Sequence, residues 1–188
     1  MNNLLLLGGG YWGSDGIYLA PLSDHPDYTD FVNARLEEGW NVYEPAGQYD
    51  IGDWSTIIQD EYPDFDIVIG HSMGGMLAMI LASYQPLSMK KLLLFNVPLI
   101  YPSVDGWKEC YTRSNLITDH SILVMSKNDP IMTWKEYNGF SMYDALDTVI
   151  NSYIEKRLKD ISGYEHSPFS PVDVITPIWD GVVGDQEE

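Results

Sequence analysis

A chain of 188 residues with 45 % hydrophobic content is sized for one domain with a substantial core, and a second domain is not expected. Its formal charge of −18 argues against nucleic acid and anionic membranes as partners, because lysine and arginine are what displace counterions from phosphates. The single cysteine, Cys110, excludes an intramolecular disulfide and a cysteine-rich metal site, so a reducing cytoplasm is the expected setting.

In chain order, the apolar run 4–7 reads as a buried strand rather than a leader or membrane span, being short and without a preceding basic residue. Gly8-Gly9-Gly10-Tyr11-Trp12-Gly13 follows as a glycine-rich turn that permits close backbone approach. It lacks G-x-G-x-x-G spacing and a P-loop lysine, which argues against phosphate binding. Asp27 is placed to cap a helix carrying Phe31, Val32 and Leu36 on one face, with Gly39 as its C-terminal cap and 41–43 as the next strand. Arg35 is the only lysine or arginine before Lys90, so this half of the chain reads as a solvated acidic surface.

A strand over 67–69 leads into a Met-, Leu- and Ala-rich helix over 73–84, which ends before Pro86. Strands follow over 92–95 and 122–125, then a helix from Ser141 with Met142, Leu146, Val149, Ile150, Tyr153 and Ile154 at helical spacing, then a weak strand over 158–161. Alternation of strand and helix predicts the α/β class: a mostly parallel sheet of about six strands, helices on both faces and right-handed crossovers. The stretch 97–118 is long and mixed, with room for a helix or a partial lid over the site. Prolines at 168, 171 and 177 predict a mostly irregular acidic tail over 167–188, with Val174, Ile175 and Trp179 docking on the body.

The strongest local signal is Gly70-His71-Ser72-Met73-Gly74, followed by Gly75, between the strand over 67–69 and the helix over 73–84. This is G-x-S-x-G in the strand-to-helix context that a nucleophile elbow needs: a strained serine, with small residues two before and two after it. A serine hydroxyl needs a base, and histidine suits that task near neutral pH. Of four histidines, His71 lies inside the elbow, His25 in a polar turn, and His120 before the candidate acid. His166, late in the chain and in a loop after the last strand, is the candidate base. Asp129 lies between nucleophile and base, after the strand over 122–125, where active sites of open parallel sheets form. An Asx turn at Asn128-Asp129-Pro130 is its plain structural alternative, and Asp105 and Asp119 are weaker substitutes. The oxyanion donors expected are the Met73 amide and one amide from the glycine turn, Gly10 in preference to Tyr11.

Together these residues resemble the α/β-hydrolase superfamily, and in length and local wording the compact single-domain serine hydrolases of the retinoblastoma-binding type. The resemblance implies Ser72, Asp129 and His166 as a triad, with the Met73 amide in the oxyanion hole. It also implies that the run 4–7 corresponds to the third strand of the full-length fold, the first two being missing. Gly8 stands where many relatives have histidine, and the last helix after His166 is hard to see.

The expected reaction is attack by Ser72 on an ester, thioester or amide carbonyl of a small acyl substrate, then hydrolysis of the acyl-enzyme, with no metal or organic cofactor. Tyr11, Trp12, Tyr101, Trp107 and Trp134 are candidates for an apolar substrate wall. A monomer is expected. Alternatives are a catalytically silent hydrolase fold that binds a ligand or protein, and carbon–carbon bond hydrolysis by the same triad.

Overall fold

The computed structural model describes residues 2–13, 16–20, 26–49, 64–84, 89–97, 121–125, 129, 159–160, 166–167, 169 and 172–184. The expected helix from Ser141 and all of the stretch 97–118 beyond Val97 lie outside the described residues, as do His25 and His120. Among the described residues the strands are β1 (Asn3–Leu7), β2 (Gly10–Gly13), β3 (Gly16–Leu19), β4 (Asn41–Tyr43), β5 (Gly47–Tyr49), β6 (Phe65–His71), β7 (Met89–Phe95), β8 (Ser121–Met125) and β9 (Lys159–Asp160). Among the described residues the helices are α1 (Pro26–Glu37), α2 (Met73–Tyr84) and α3 (Val172–Gly184).

Six strands form one parallel sheet in the order β4-β1-β6-β7-β8-β9, with Leu5 beside both Tyr43 and Val68. Strands buried on both faces need no polar alternation, which is why the central ones are continuous apolar runs. Leu4 to Leu7 are all inaccessible to solvent. Alternate residues serve opposite faces: Leu4, Leu6, Ile67, Ile69, Leu93 and Phe95 join one core with α1 and α3. The other set faces α2, where a Cβ on Gly70 would lie 2.9 Å from the Ala78 Cβ.

Helix α1 starts at Pro26, ahead of the expected Asp27 cap, because proline at the first helical position has no N–H to lose and a preset φ. It ends in a Schellman motif, with Gly39 at φ +86° and Trp40 N–H bonded to the Arg35 carbonyl at 3.0 Å. Leu36, expected on the buried face, is half exposed, and Tyr28, Phe31, Val32 and Arg35 form the inward stripe. Arg35 is buried with its guanidinium carbon 4.7 Å from the Phe31 ring centroid and 4.8 Å from that of Trp179.

Two expectations are corrected. The stretch Gly10–Gly13 is not turn but strand, joined with β3 and β5 in a small antiparallel sheet of order β2-β3-β5. Tyr11 and Trp12 favour the extended backbone, and Gly10 is needed there: its Cβ would stand 2.0 Å from the Tyr18 carbonyl oxygen. The segment after Ser167 is not mostly irregular but carries α3, with Pro177 inside it. Pro177 is on the exposed side, and Ile175, Ile178, Trp179 and Val182 repeat at i, i+3, i+4 and i+7. Burial of that stripe, at roughly 1.5–3 kcal/mol per large side chain, outweighs the ~3 kcal/mol cost of a helical proline.

Candidate active site

The elbow is built by close backbone contacts. Strand β6 ends at His71, Ser72 takes φ +54°, and α2 begins at Met73, with Gly75 N–H bonded to the Ser72 carbonyl at 3.0 Å. A non-glycine residue in this region costs about 1–3 kcal/mol, so the turn is held by its surroundings. Ser72 N–H is bonded to the Phe95 carbonyl at 2.9 Å, which ties the elbow to β7. Each flanking glycine is a steric necessity. A Cβ on Gly70 would lie 2.5 Å from the Gly75 Cα, one on Gly74 would lie 2.2 Å from both the Leu7 and Gly8 oxygens, and one on Gly75 would lie 2.2 Å from Val97 Cγ2. The first turn of α2 is thereby pressed onto the end of β1, and Gly9 is brought beside the serine: its Cβ would lie 3.8 Å from the Ser72 Cβ.

His166 Nδ1 and Asp129 Oδ2 are 2.7 Å apart, with Asp129 wholly buried and His166 largely so. The carboxylate accepts from Nδ1–H, and Nε2 makes no hydrogen bond among the described residues. The His166 ring lies tilted at 46° to that of His71, centroid to centroid 4.9 Å, and His71 directly precedes Ser72. Among the described residues Ser72 Oγ makes no hydrogen bond to that ring; such contacts are often long without substrate.

The amides named as oxyanion donors are differently placed. Met73 opens α2, where an N–H has no partner within the helix. In the small sheet, Ala20 N–H donates to the Gly9 carbonyl at 3.1 Å, which makes Gly10 and Leu19 the pair that exchanges no hydrogen bonds. Gly10 N–H therefore points away from β3, while Tyr11 N–H is turned into the ladder toward Tyr18. Tyr11 and Trp12 are backbone members of β2, and Tyr101, Trp107 and Trp134 lie outside the described residues.

Two buried polar residues at the site carried no sequence signal. Asn96, inaccessible and at φ +46°, follows β7 and donates through Nδ2 to the His166 carbonyl at 2.8 Å. Tyr28 of α1 bonds through its hydroxyl to His71 Nδ1. Single polar residues inside an apolar stripe or at its end have no spacing to betray them. Among the described residues no group of three or more His, Cys, Asp or Glu is placed to hold a metal, and no helix is long and apolar enough to cross a membrane.

No protein-family model matches the sequence, and no curated protein matches it. Solved structures do match. A carboxylesterase from the ammonia-oxidizing thaumarchaeon Nitrososphaera gargenis aligns over 98 % of this chain and 92 % of its own at 10 % identity, TM-score 0.64. The monoacylglycerol lipase of Paleococcus ferrophilus aligns over 97 % and 94 % at 12 % identity, TM-score 0.63. The thioesterase domain from the curacin biosynthetic pathway aligns over 97 % and 90 % at 13 % identity, TM-score 0.61. At such identities the likeness speaks for architecture: the chain has the α/β-hydrolase fold, built on a parallel sheet.

Proposed function

Starting from an α/β-hydrolase fold, we propose that the protein is a serine hydrolase cleaving a carboxylic ester or thioester through an acyl-enzyme on Ser72. The observation that carries this reading is the His166–Asp129 pair, 2.7 Å apart with its carboxylate buried and its ring centroid 4.9 Å from that of His71, whose chain neighbour Ser72 is held at φ +54° between strand and helix. His166 Nε2 takes the Ser72 proton as Oγ attacks the substrate carbonyl, and Asp129 holds the ring's tautomer and stabilises the imidazolium. Met73 and Gly10 amides receive the oxyanion, each such donor being worth roughly 3 kcal/mol. The imidazolium returns its proton to the leaving alkoxide or thiolate. Water, deprotonated by the same nitrogen, then releases the acid and restores the serine. The neighbours' described activities, a carboxylesterase, a monoacylglycerol lipase and a thioesterase domain, support an acyl substrate of this class.

The test is intact-mass labelling with a fluorophosphonate. Wild type is expected to take one adduct at Ser72, Ser72→Ala none, and His166→Ala and Asp129→Asn to label about 1,000-fold or more slowly. A folded wild type that takes no adduct would sink the proposal and leave a silent, ligand-binding hydrolase fold.

A further inference from the structure

We propose that His71, the residue before the nucleophile, is a positioning residue for the base: it links the glycine loop to the backbone of His166 through one directional chain of hydrogen bonds. The inference rests on His166 acting as the base.

His71 is the last residue of β6, and its ring lies on the face covered by α1, 4 % of the residue exposed. Its Nε2 is 2.7 Å from the His166 carbonyl oxygen. A carbonyl only accepts, so Nε2 carries a proton. In the neutral ring Nδ1 then presents a lone pair, and the Tyr28 hydroxyl that bonds it is the donor. Tyr28 Oη in turn receives Gly9 N–H at 3.3 Å. Every link points one way, from Gly9 N–H to Tyr28, from Tyr28 O–H to His71, and from His71 Nε2–H to the His166 carbonyl. Bonds aligned head to tail polarise one another and favour one arrangement.

The chain's two ends matter. It starts at Gly9, next to the Gly10 amide assigned to the oxyanion. It finishes on the peptide that carries the base. That peptide is pinned twice, since Asn96 Nδ2 supplies a second donor to the same oxygen at 2.8 Å while Asn96 N–H is fixed to the Val124 carbonyl at 2.9 Å. Both lone pairs of the His166 carbonyl are thus engaged by donors from the ends of β6 and β7. With its backbone held there and Nδ1 held by Asp129, the ring has little freedom to change the direction in which Nε2 points. A histidine that merely filled space would be replaceable by any side chain of similar volume. Here a donor is required at one atom.

The experiment compares His71→Gln with His71→Leu. Glutamine places an N–H donor where Nε2 stood, and leucine fills volume without one. Labelling of Ser72 by the fluorophosphonate, corrected for folded fraction, is expected to slow by about 10- to 100-fold in the leucine variant, the scale of a sub-ångström to 1 Å misplacement, and to recover most of that loss in the glutamine variant. Equal rates for the two variants at unequal thermal stability would overturn the proposal. Nitrogen-15 spectra of the wild-type histidine side chains give a second test that needs neither variant to fold. A neutral His71 ring protonated on Nε2 is expected, and a ring protonated on Nδ1, or on both nitrogens, near neutral pH would overturn the chain as drawn. The two readings fail separately: a folded wild type that takes no adduct sinks the hydrolase, while the ring's tautomer still decides the hydrogen-bond chain.

Discussion

Two glycine-to-alanine substitutions, both in helices, should have opposite outcomes. In a helix interior alanine is favoured over glycine by about 1 kcal/mol. Gly181 of α3 is exposed and a Cβ there would meet nothing within 4 Å, so Gly181→Ala should gain about 1 kcal/mol and raise Tm by about 2–4 °C in a chain of this size. Gly74 of α2 is the contrary case. Its Cβ would stand 2.2 Å from the Leu7 and Gly8 oxygens, and reaching the ordinary 3.4 Å contact requires the first turn of α2 to retreat by about 1.2 Å, the difference of the two distances. The obstacles are backbone atoms, which cannot swing aside. At about 3 kcal/mol for such overpacking, less at most 1 kcal/mol of propensity, Gly74→Ala should lose about 2 kcal/mol and about 4–8 °C. The same retreat displaces Met73 N–H and Ser72, and a shift near 1 Å costs about 100-fold in rate. Thermal melts give the first quantity and fluorophosphonate labelling kinetics the second. A Gly74→Ala protein that melts and labels like wild type would refute the steric account of the elbow.

Arg35 has Nη2 on Glu38 Oε1 at 2.6 Å, while Nε and Nη1 are buried without hydrogen-bond partners among the described residues. Stacking on Phe31 and Trp179 is what holds it, so Arg35→Lys, which substitutes a compact, strongly hydrated charge, should cost about 2 kcal/mol in urea unfolding. Arg35→Met keeps the apolar stem and removes the unmet donors, and it should cost less; a lysine variant at least as stable as the methionine one would contradict this. Burial raises the Glu44 carboxyl above its usual range, so the folded state binds that proton more tightly than the unfolded chain does. Stability from this group is therefore greatest in acid and declines as pH rises from the ordinary glutamate value through the raised one. Glu44→Gln should melt above wild type near pH 8, with the gap closing toward about pH 4; a gap of constant size would contradict the assignment.

The parallel sheet was legible because its strands are buried on both faces: the runs at 4–7, 67–69 and 92–95 can be little else when turn residues bound them. The elbow was legible for a steric reason, since Gly70 and Gly74 stand where a Cβ would strike backbone. What was hidden falls into two kinds. Strand β2 and helix α3 contain residues whose local preference opposes the element, glycine in the one and Pro177 in the other, and tertiary contacts overrode it. Tyr28 and Asn96 were hidden because their roles depend on contacts 43 and 70 residues away in sequence, to His71 and to the His166 carbonyl.

The seat of His166 also has a consequence in time. Phe169, three residues on, packs with ring centroids 4.5 Å from Tyr28 and 5.7 Å from His71, and α3 closes over the same core through Trp179 against Phe31 and Trp40. On the ribosome the serine leaves 94 residues ahead of His166, which at about 5–20 residues per second is a delay of roughly 5–20 s. The His166–Asp129 contact and the seat of Phe169 on Tyr28 therefore form only once the last part of the chain has been made, whatever has folded before it.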